Sequence, residues 1–437
     1  RFGSLTNLSL PFNTVAAGET FPVIPTMKKC EIYGSELNGL DLSALGSCSA
    51  VNSFSANDTA LPDISFLSGL QELLYVSVDN CGIASLEPLR DAVHIEHLYA
   101  SGNGIADLGP LVLMENAHYI RLNRNAIEDI SPLAGLTDLF TLELNENRIS
   151  DVTPLQDMTK LTKLSLGGNA LTDITPLQGC TELQTLIVSY NELTALSGCE
   201  NMIRLTELQA TNNKLTDIGA LANSTQLEIV YLSDNQLADI SVLAKSAAHL
   251  KNVLLDDNAL TDLSSLKNAA ELYALSVNRN QLTSLSQLTG CTGLYAISAN
   301  GNQLTDISGL RDCTTLYGAD LGENQLSDIS PLNETGASVM VLMLQNNNIT
   351  DINALNPLKE YKLLSLYNNA IRDFSHLPAM TAVQTSDVLY VSITDRASVA
   401  DLSNSNYKKQ SHFVDVPLDQ QVEIETEFLA ARGESNK

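Results

Sequence analysis

Six histidines and seven cysteines are the residues of this chain best suited to metal or nucleophilic chemistry. The most metal-like spacing is His94-x-x-His97, with His118 a little further on. It lacks the fixed third ligand and the helix that give such motifs force. The recurring Asp residues, and the pair Asp256-Asp257, could offer oxygens to calcium. One carboxylate per period falls short of the roughly six oxygens that such a site needs. No G-x-S-x-G, Walker loop, H-E-x-x-H or G-x-G-x-x-G stands in the context that would make it chemical. The expectation is a chain with no metal, no cofactor and no catalytic activity, whose informative side chains do recognition. A first group is Tyr75, His97, Tyr99, His118, Tyr119, Arg121 and Arg124. Aromatics and Arg are the residue types enriched at binding hot spots. A second is Ile187, Tyr190, Ile229, Tyr231 and Leu254, extended further along by Val341 and Met343. Outward aliphatics are hard to reconcile with solubility unless something covers them. The alternative is that flat strands simply favour such residue types.

A strict period positions these residues. Asn103, Asn125, Asn147, Asn169, Asn191, Asn213 and Asn235 follow one another at steps of 22. Asn258, Asn280, Asn302, Asn324, Asn347 and Asn369 continue the series with two steps of 23. Around each runs L-x-x-L-x-L-x-x-N-x-L/I-x-D-I-x-P-L-x-x-L-x-x, seen cleanly from Leu139 to Leu155. This is the signature of a leucine-rich repeat. The fold class expected is an α/β solenoid with a parallel β-sheet on the concave face and 3₁₀ turns on the convex face. About 17 repeats are expected, with Asn38, Thr59 and Cys81 filling early ladder slots. Such arrays work by presenting an extended surface rather than a closed pocket.

Within a unit, L-x-L is a short strand with both Leu inward, because side chains alternate. The residue four before each Asn is expected mid-strand and outward; Tyr99, Arg121, Glu143, Ile187, Tyr231 and Leu254 hold that position. Arg121 has Glu143 one unit away as an expected partner. Tyr273, Tyr295, Tyr317 and Met340 form a column seven before the Asn. It reads as a stabilising ring stack, with an edge binding strip as the alternative. The Asn amide both donates and accepts, so stacked Asn side chains satisfy backbone groups in the bend. Four residues after the ladder position stand Asp63, Asp107, Asp129, Asp151, Asp173, Asp217, Asp239, Asp262, Asp306, Asp328, Asp351 and Asp373. A short carboxylate there accepts N–H bonds from the next turn.

Charge narrows the partners. With 24 basic and 51 acidic residues the net charge is −27. This argues against nucleic acid and anionic membrane surfaces as partners, since both require a basic stripe. The remaining acidity serves solubility or favours a basic partner, and the sequence leaves both open. No apolar run is long enough for a transmembrane helix, and any export signal or anchor is expected outside this chain. The cysteines fall on inward slots: Cys180, Cys291 and Cys313 stand where a neighbouring unit has Leu136, as does Cys48 after a one-residue deletion. Cys199 matches Leu133, Cys30 matches Leu139, and Cys81 takes a ladder position. They read as buried free thiols, with a Cys291–Cys313 disulfide as the alternative. Residues 1–383 are expected to form the solenoid, its first unit degenerate, and residues 384–437 a small β-rich C-terminal cap. A monomer is expected.

The convex stretches Ile130-Ser-Pro-Leu133, Ile174-Thr-Pro-Leu177 and Ile329-Ser-Pro-Leu332 resemble the 22-residue repeats of bacterial internalins. The resemblance spans roughly residues 5 to 383. It implies a non-catalytic protein of a Gram-positive cell surface or secretome, binding a protein or glycan, host-derived in the family, on the concave face. No helical N-terminal cap, full immunoglobulin-like domain or cell-wall sorting motif is visible, so host-cell invasion is not implied. A eukaryotic phosphatase-regulating protein shares this repeat type, which keeps a cytoplasmic scaffold or regulatory subunit as the alternative.

Overall fold

The L-x-L segments lie in short strands because alternation sends both Leu inward and the residue between them outward. The computed structural model describes residues 5–11, 19–34, 40–337, 339–355, 363–371 and 388–390. The chain forms two compact units, Arg1–Ser276 and Val277–Lys437. In the first unit the strands are β1 (Asn7–Pro11), β2 (Lys29–Tyr33), β3 (Ser53–Ser55), β4 (Tyr75–Ser77), β5 (His97–Tyr99), β6 (Tyr119–Arg121) and β7 (Thr141–Glu143). They continue with β8 (Lys163–Ser165), β9 (Thr185–Ile187), β10 (Glu207–Gln209), β11 (Ile229–Tyr231), β12 (Asn252–Leu254) and β13 (Ala274–Ser276). Each pairs in parallel with the next. In the second unit β14 (Ala296–Ser298), β15 (Gly318–Asp320), β16 (Val341–Met343), β17 (Leu363–Ser365) and β18 (Val388–Tyr390) form a second parallel series. The first 17 strands match the 17 repeats read from the sequence.

The middle residue of each three-residue strand is the inward one. Leu98, Ile120, Leu142 and Leu164 are all buried, while the strand-end residues are mostly half-buried or exposed, Ser77 and Ser165 being buried exceptions. The outward position four before the Asn is therefore the end of the strand rather than its centre. A second outward row, six before the Asn, accompanies it. Inside, Leu142, Leu144, Ile149, Leu155, Met158 and Leu161 of one unit are wholly buried. Each stabilises the fold by about 1.5–3 kcal/mol relative to exposure.

The bend after each strand is held by the Asn. The Asn147 Nδ2 donates to the carbonyls of Leu122 (3.0 Å), Leu144 (3.0 Å) and Asn145 (3.2 Å), while its Oδ1 accepts the Ile127 N–H (3.1 Å). One side chain thus ties its own bend to the preceding unit. The same set recurs at Asn125, Asn169, Asn191, Asn213 and Asn235. In its ladder slot, Cys81 substitutes a thiol that donates to the Ala56 carbonyl. Asn13 and Asn38 lie outside the described residues.

The convex return is made of 3₁₀ segments such as Ser131–Leu133 and Thr153–Leu155. The periodic Asp starts each one by accepting the N–H two residues on, as Asp151 does from Thr153 at 2.8 Å. Ten further Asp residues of the column do the same; Asp373 lies outside the described residues. The unit after β9 departs from the pattern. Residues Ala195–Cys199 form no 3₁₀ segment, and Ala195 bridges to Asp217 instead. Gly198 sits there at φ +111°, and a Cβ on it would lie 2.3 Å from the Ile174 carbonyl oxygen.

All seven cysteines are buried free thiols, Cys291 and Cys313 included. The Tyr295 and Tyr317 rings stack with centroids 5.0 Å apart and planes at 4°. The region assigned to the C-terminal cap lies outside the described residues, except that β18 extends the ladder beside β17.

Candidate binding face

Strand register brings the first aromatic group together. His97 pairs across to Tyr75 on one side and to Tyr119 on the other, with Tyr99 at the far end of the same strand. The His97 and Tyr119 rings stack at 4.7 Å with planes at 5°. Tyr75 lies 6.1 Å from His97 and 5.6 Å from Tyr99. The His97 Nδ1 is 3.4 Å from the Tyr99 hydroxyl. Centroids in contact at these separations stabilise each other by about 0.5–1.5 kcal/mol per pair. Of the four, Tyr119 is the most open, at 37 % exposed.

Arg121 completes the cluster, but not through Glu143. Its Nη2 donates to Asp79, two units earlier, and its guanidinium carbon sits 4.7 Å from the centroid of the Tyr99 ring. Asp79 can hold it because Asp79 is itself fixed. It accepts the Ser101 N–H at 2.6 Å, and its own N–H donates to Asn57 Oδ1 at 2.9 Å. Burial raises the Tyr99 phenol above its ordinary pKa; Tyr75 adds to this and Arg121 opposes it. Glu143 is taken by Lys163 Nζ at 2.7 Å and by Asn123 Nδ2 at 3.2 Å.

Two members of the first group lie elsewhere. His118 stacks on Phe140 at 5.3 Å, in the column seven before the Asn. Arg124 stands in the bend at φ +55° and pairs with Glu146. The residue before each ladder Asn adopts this left-handed conformation in unit after unit, which turns its side chain off the strand rows. Tyr190 holds the same bend position, at φ +57° and 62 % exposed. It therefore does not join Ile187 on the strand face. Within the second group, Ile187, Gln209, Tyr231 and Leu254 form one row across β9–β12, so a polar residue interrupts the apolar run. Ile229 lies in the parallel row beside Glu207. These apolar side chains are half-buried rather than fully open. In the second unit Met343 is buried, at 8 % exposed, which removes it from any outward patch.

A second polar ladder, absent from the sequence reading, runs two residues before the Asn. Asn57, Asp79, Ser101, Asn123 and Asn145 each accept, through a side-chain oxygen, the N–H of the equivalent residue one unit on. It anchors Asp79, and through Asp79 the position of Arg121. Its signal was available as a run of side chains with acceptor oxygens at one repeat position.

Among the described residues, no group of three or more His, Cys, Asp or Glu is arranged to hold a metal ion, and no helix is long and apolar enough to cross a membrane.

A family model described as Leucine Rich repeats (2 copies) matches residues 137–179, 159–201, 181–223 and 203–245. No curated protein sequence matches the chain. Among solved structures, an internalin (inlF) from Listeria monocytogenes is 28 % identical over 72 % of this chain and 86 % of its own, with a TM-score of 0.62. A leucine-rich repeat protein of Leptospira interrogans shares the fold at 19 % identity, covering 85 % of this chain and 92 % of its own, with a TM-score of 0.69. A plant peptide hormone receptor, solved in complex with its peptide RGF2, shares the fold at 18 % identity over 89 % of this chain and 73 % of its own, with a TM-score of 0.58. Arrays of this kind are interaction modules whose extended surfaces bind other molecules. The chain folds as a leucine-rich repeat array similar to those of bacterial internalins.

Proposed function

We propose that this chain is a non-catalytic recognition protein, exported by a bacterium to its surface or surroundings, that binds a protein partner on the outward face of its sheet. The observation that carries the reading is the cluster of Tyr75, His97, Tyr99 and Tyr119 with Arg121 laid over Tyr99. Four rings on three adjacent strands with a pinned guanidinium match the composition of binding hot spots. Mutual anchoring lowers the entropy lost on binding. The His97 and Tyr119 rings cover one face of each other, at 4.7 Å with planes at 5°. A flat sugar-stacking platform needs free ring faces, so the arrangement favours a protein over a glycan. Export is supported by the 28 % identity to an internalin. The alternative, a cytoplasmic scaffold of the same fold, draws on the seven free thiols. Their burial in the core accounts for them in either compartment.

The test is capture from host-cell surface extract and from mucin glycans by the parent chain. A variant carrying Tyr99→Ser, Arg121→Ser, Tyr231→Ser and Leu254→Ser runs beside it. A protein held by the parent and lost by a variant with unchanged circular dichroism supports the reading. Equal capture by both removes the site from this face, and capture of glycan alone replaces the protein by a saccharide.

A further inference from the structure

Three carboxylates stand on the outward face between β7 and β12, and one of them is held differently. Glu143 is clamped by Lys163, and Glu228, just before β11, by Lys251 at 2.6 Å. Glu207 is held by neutral groups: Gln209 Nε2 donates to one oxygen at 2.6 Å, and Thr185 Oγ1 to the other at 3.3 Å. Among the described residues no cation pairs with it. Both oxygens are thus oriented while the charge stays uncompensated. The nearby Arg204 is committed to Glu182 at 3.0 Å.

Beyond Thr185 and Gln209, the neighbours of that charge are mostly apolar. Ile229 is its direct neighbour on β11, and Ile187 and Tyr231 flank Gln209 in the other row. Leu254 follows Tyr231 on β12. Parallel strands lie about 4.8 Å apart, so these four side chains lie within one or two strand spacings of the carboxylate or its Gln209 support. Low-dielectric neighbours strengthen any charge pair formed among them. A cation arriving alone would remain better solvated in water. A cation carried on an apolar segment would be partly desolvated already and would cover Ile187, Ile229, Tyr231 and Leu254 as it docked.

We infer that the outward face of β9–β12 docks a protein segment that presents a Lys or Arg flanked by apolar side chains, with Glu207 as the acceptor of that cation. The net charge of −27 acts in the same direction by drawing basic partners to the chain. This inference rests on the reading of the outward sheet face as the recognition surface. It uses residues separate from the Tyr99–Arg121 cluster, and the Tyr99→Ser/Arg121→Ser variant below tests that cluster alone.

The experiment is selection of a displayed random twelve-residue peptide library on the intact chain. Selected peptides are then measured on the parent, Glu207→Gln, Glu207→Lys and a Tyr99→Ser/Arg121→Ser double variant. Glu207→Gln keeps an acceptor oxygen for Gln209 and turns its NH2 toward the Thr185 hydroxyl oxygen, and its melting curve checks the fold. The expected peptides carry Lys or Arg beside Leu, Ile, Val or Phe. Their affinity should fall about tenfold in Glu207→Gln, the loss of one charge-assisted hydrogen bond, and further in Glu207→Lys. It should weaken with added salt and stay unchanged in the Tyr99/Arg121 variant. Failure to enrich basic-apolar peptides overturns the inference, as does equal binding to parent and Glu207→Lys. Loss of binding only in the Tyr99/Arg121 variant would also overturn it, while leaving the first reading intact.

Discussion

Arg121 and Asp79 are 42 residues apart in sequence and form an ion pair that reaches over an entire intervening repeat. Between them lies Tyr99, whose ring receives the guanidinium. The pair is asymmetric: Asp79 is nearly buried and also accepts the Ser101 N–H, whereas the Arg121 side chain is 40 % exposed. Asp79→Ala should therefore destabilise the chain by about 1–3 kcal/mol, since it strands a buried amide and a cation. Arg121→Gln should cost less than about 1 kcal/mol, as expected for a half-exposed pair. Urea unfolding of both variants gives the order directly.

The ladder carries more than its own bend. Asn147→Ala leaves the Leu122, Leu144 and Asn145 carbonyls and the Ile127 N–H without their side-chain partner. A loss of about 1–3 kcal/mol is expected. Amide hydrogen exchange should localise it to this unit and the one before, as expected where each repeat contacts only its neighbours.

Thiol chemistry should be silent in the folded protein. Burial pushes Cys30, Cys199 and Cys313 up to about 12, and Cys81 and Cys180 up to about 11, against an ordinary value of 9.0. Only the thiolate reacts readily. A disulfide reagent at pH 8 should label few of the seven cysteines before unfolding and all of them after it. A folded-state value raised above the unfolded one gives stability that is complete below pH 9.0 and lost as pH climbs toward 11–12. Alkaline unfolding should begin in that window.

Acid acts on the convex side. Asp151 and Asp173 are held below their ordinary value of 3.8 by the hydroxyl and then the amide of the Thr two residues on. Asp129 and Asp239 are lowered by the amide and then the hydroxyl of Ser131 and Ser241. A lowered folded value means that the stabilisation is complete above the unfolded value and is lost as pH falls through the folded one. The 3₁₀ turns should therefore loosen below about pH 4. Asp151→Asn should keep the turn, because an amide oxygen still accepts, while removing that unit's share of the acid sensitivity. Melting curves between pH 2 and 7 measure this.

The sequence made the array legible wherever one side chain serves one repeat position. The Asn period, the inward Leu, the Cys slots and the Asp turns follow from that regularity. Arg121 was misread because adjacency in the repeat suggested Glu143, whereas a long side chain reaches past its neighbour to the acceptor the second ladder holds still. That ladder escaped notice because Asn57, Asp79, Ser101, Asn123 and Asn145 differ in type while sharing an acceptor oxygen. Arg124 and Tyr190 seemed to belong to the strand face until their left-handed backbone placed them in the bends. Spacing carries no mark of φ when residues other than Gly occupy such a position. The aromatic cluster of Tyr75, His97, Tyr99 and Tyr119 was legible because its members share the two strand rows.

Tyrosine modification in the presence of a captured partner tests the recognition surface most directly. Iodination followed by mass spectrometry reads each ring separately. The account predicts protection of Tyr75, Tyr99 and Tyr119 on partner binding, with Tyr33, 49 % exposed on β2, labelled as before. Unchanged labelling of these three rings while the partner remains bound would contradict it and move recognition off this face.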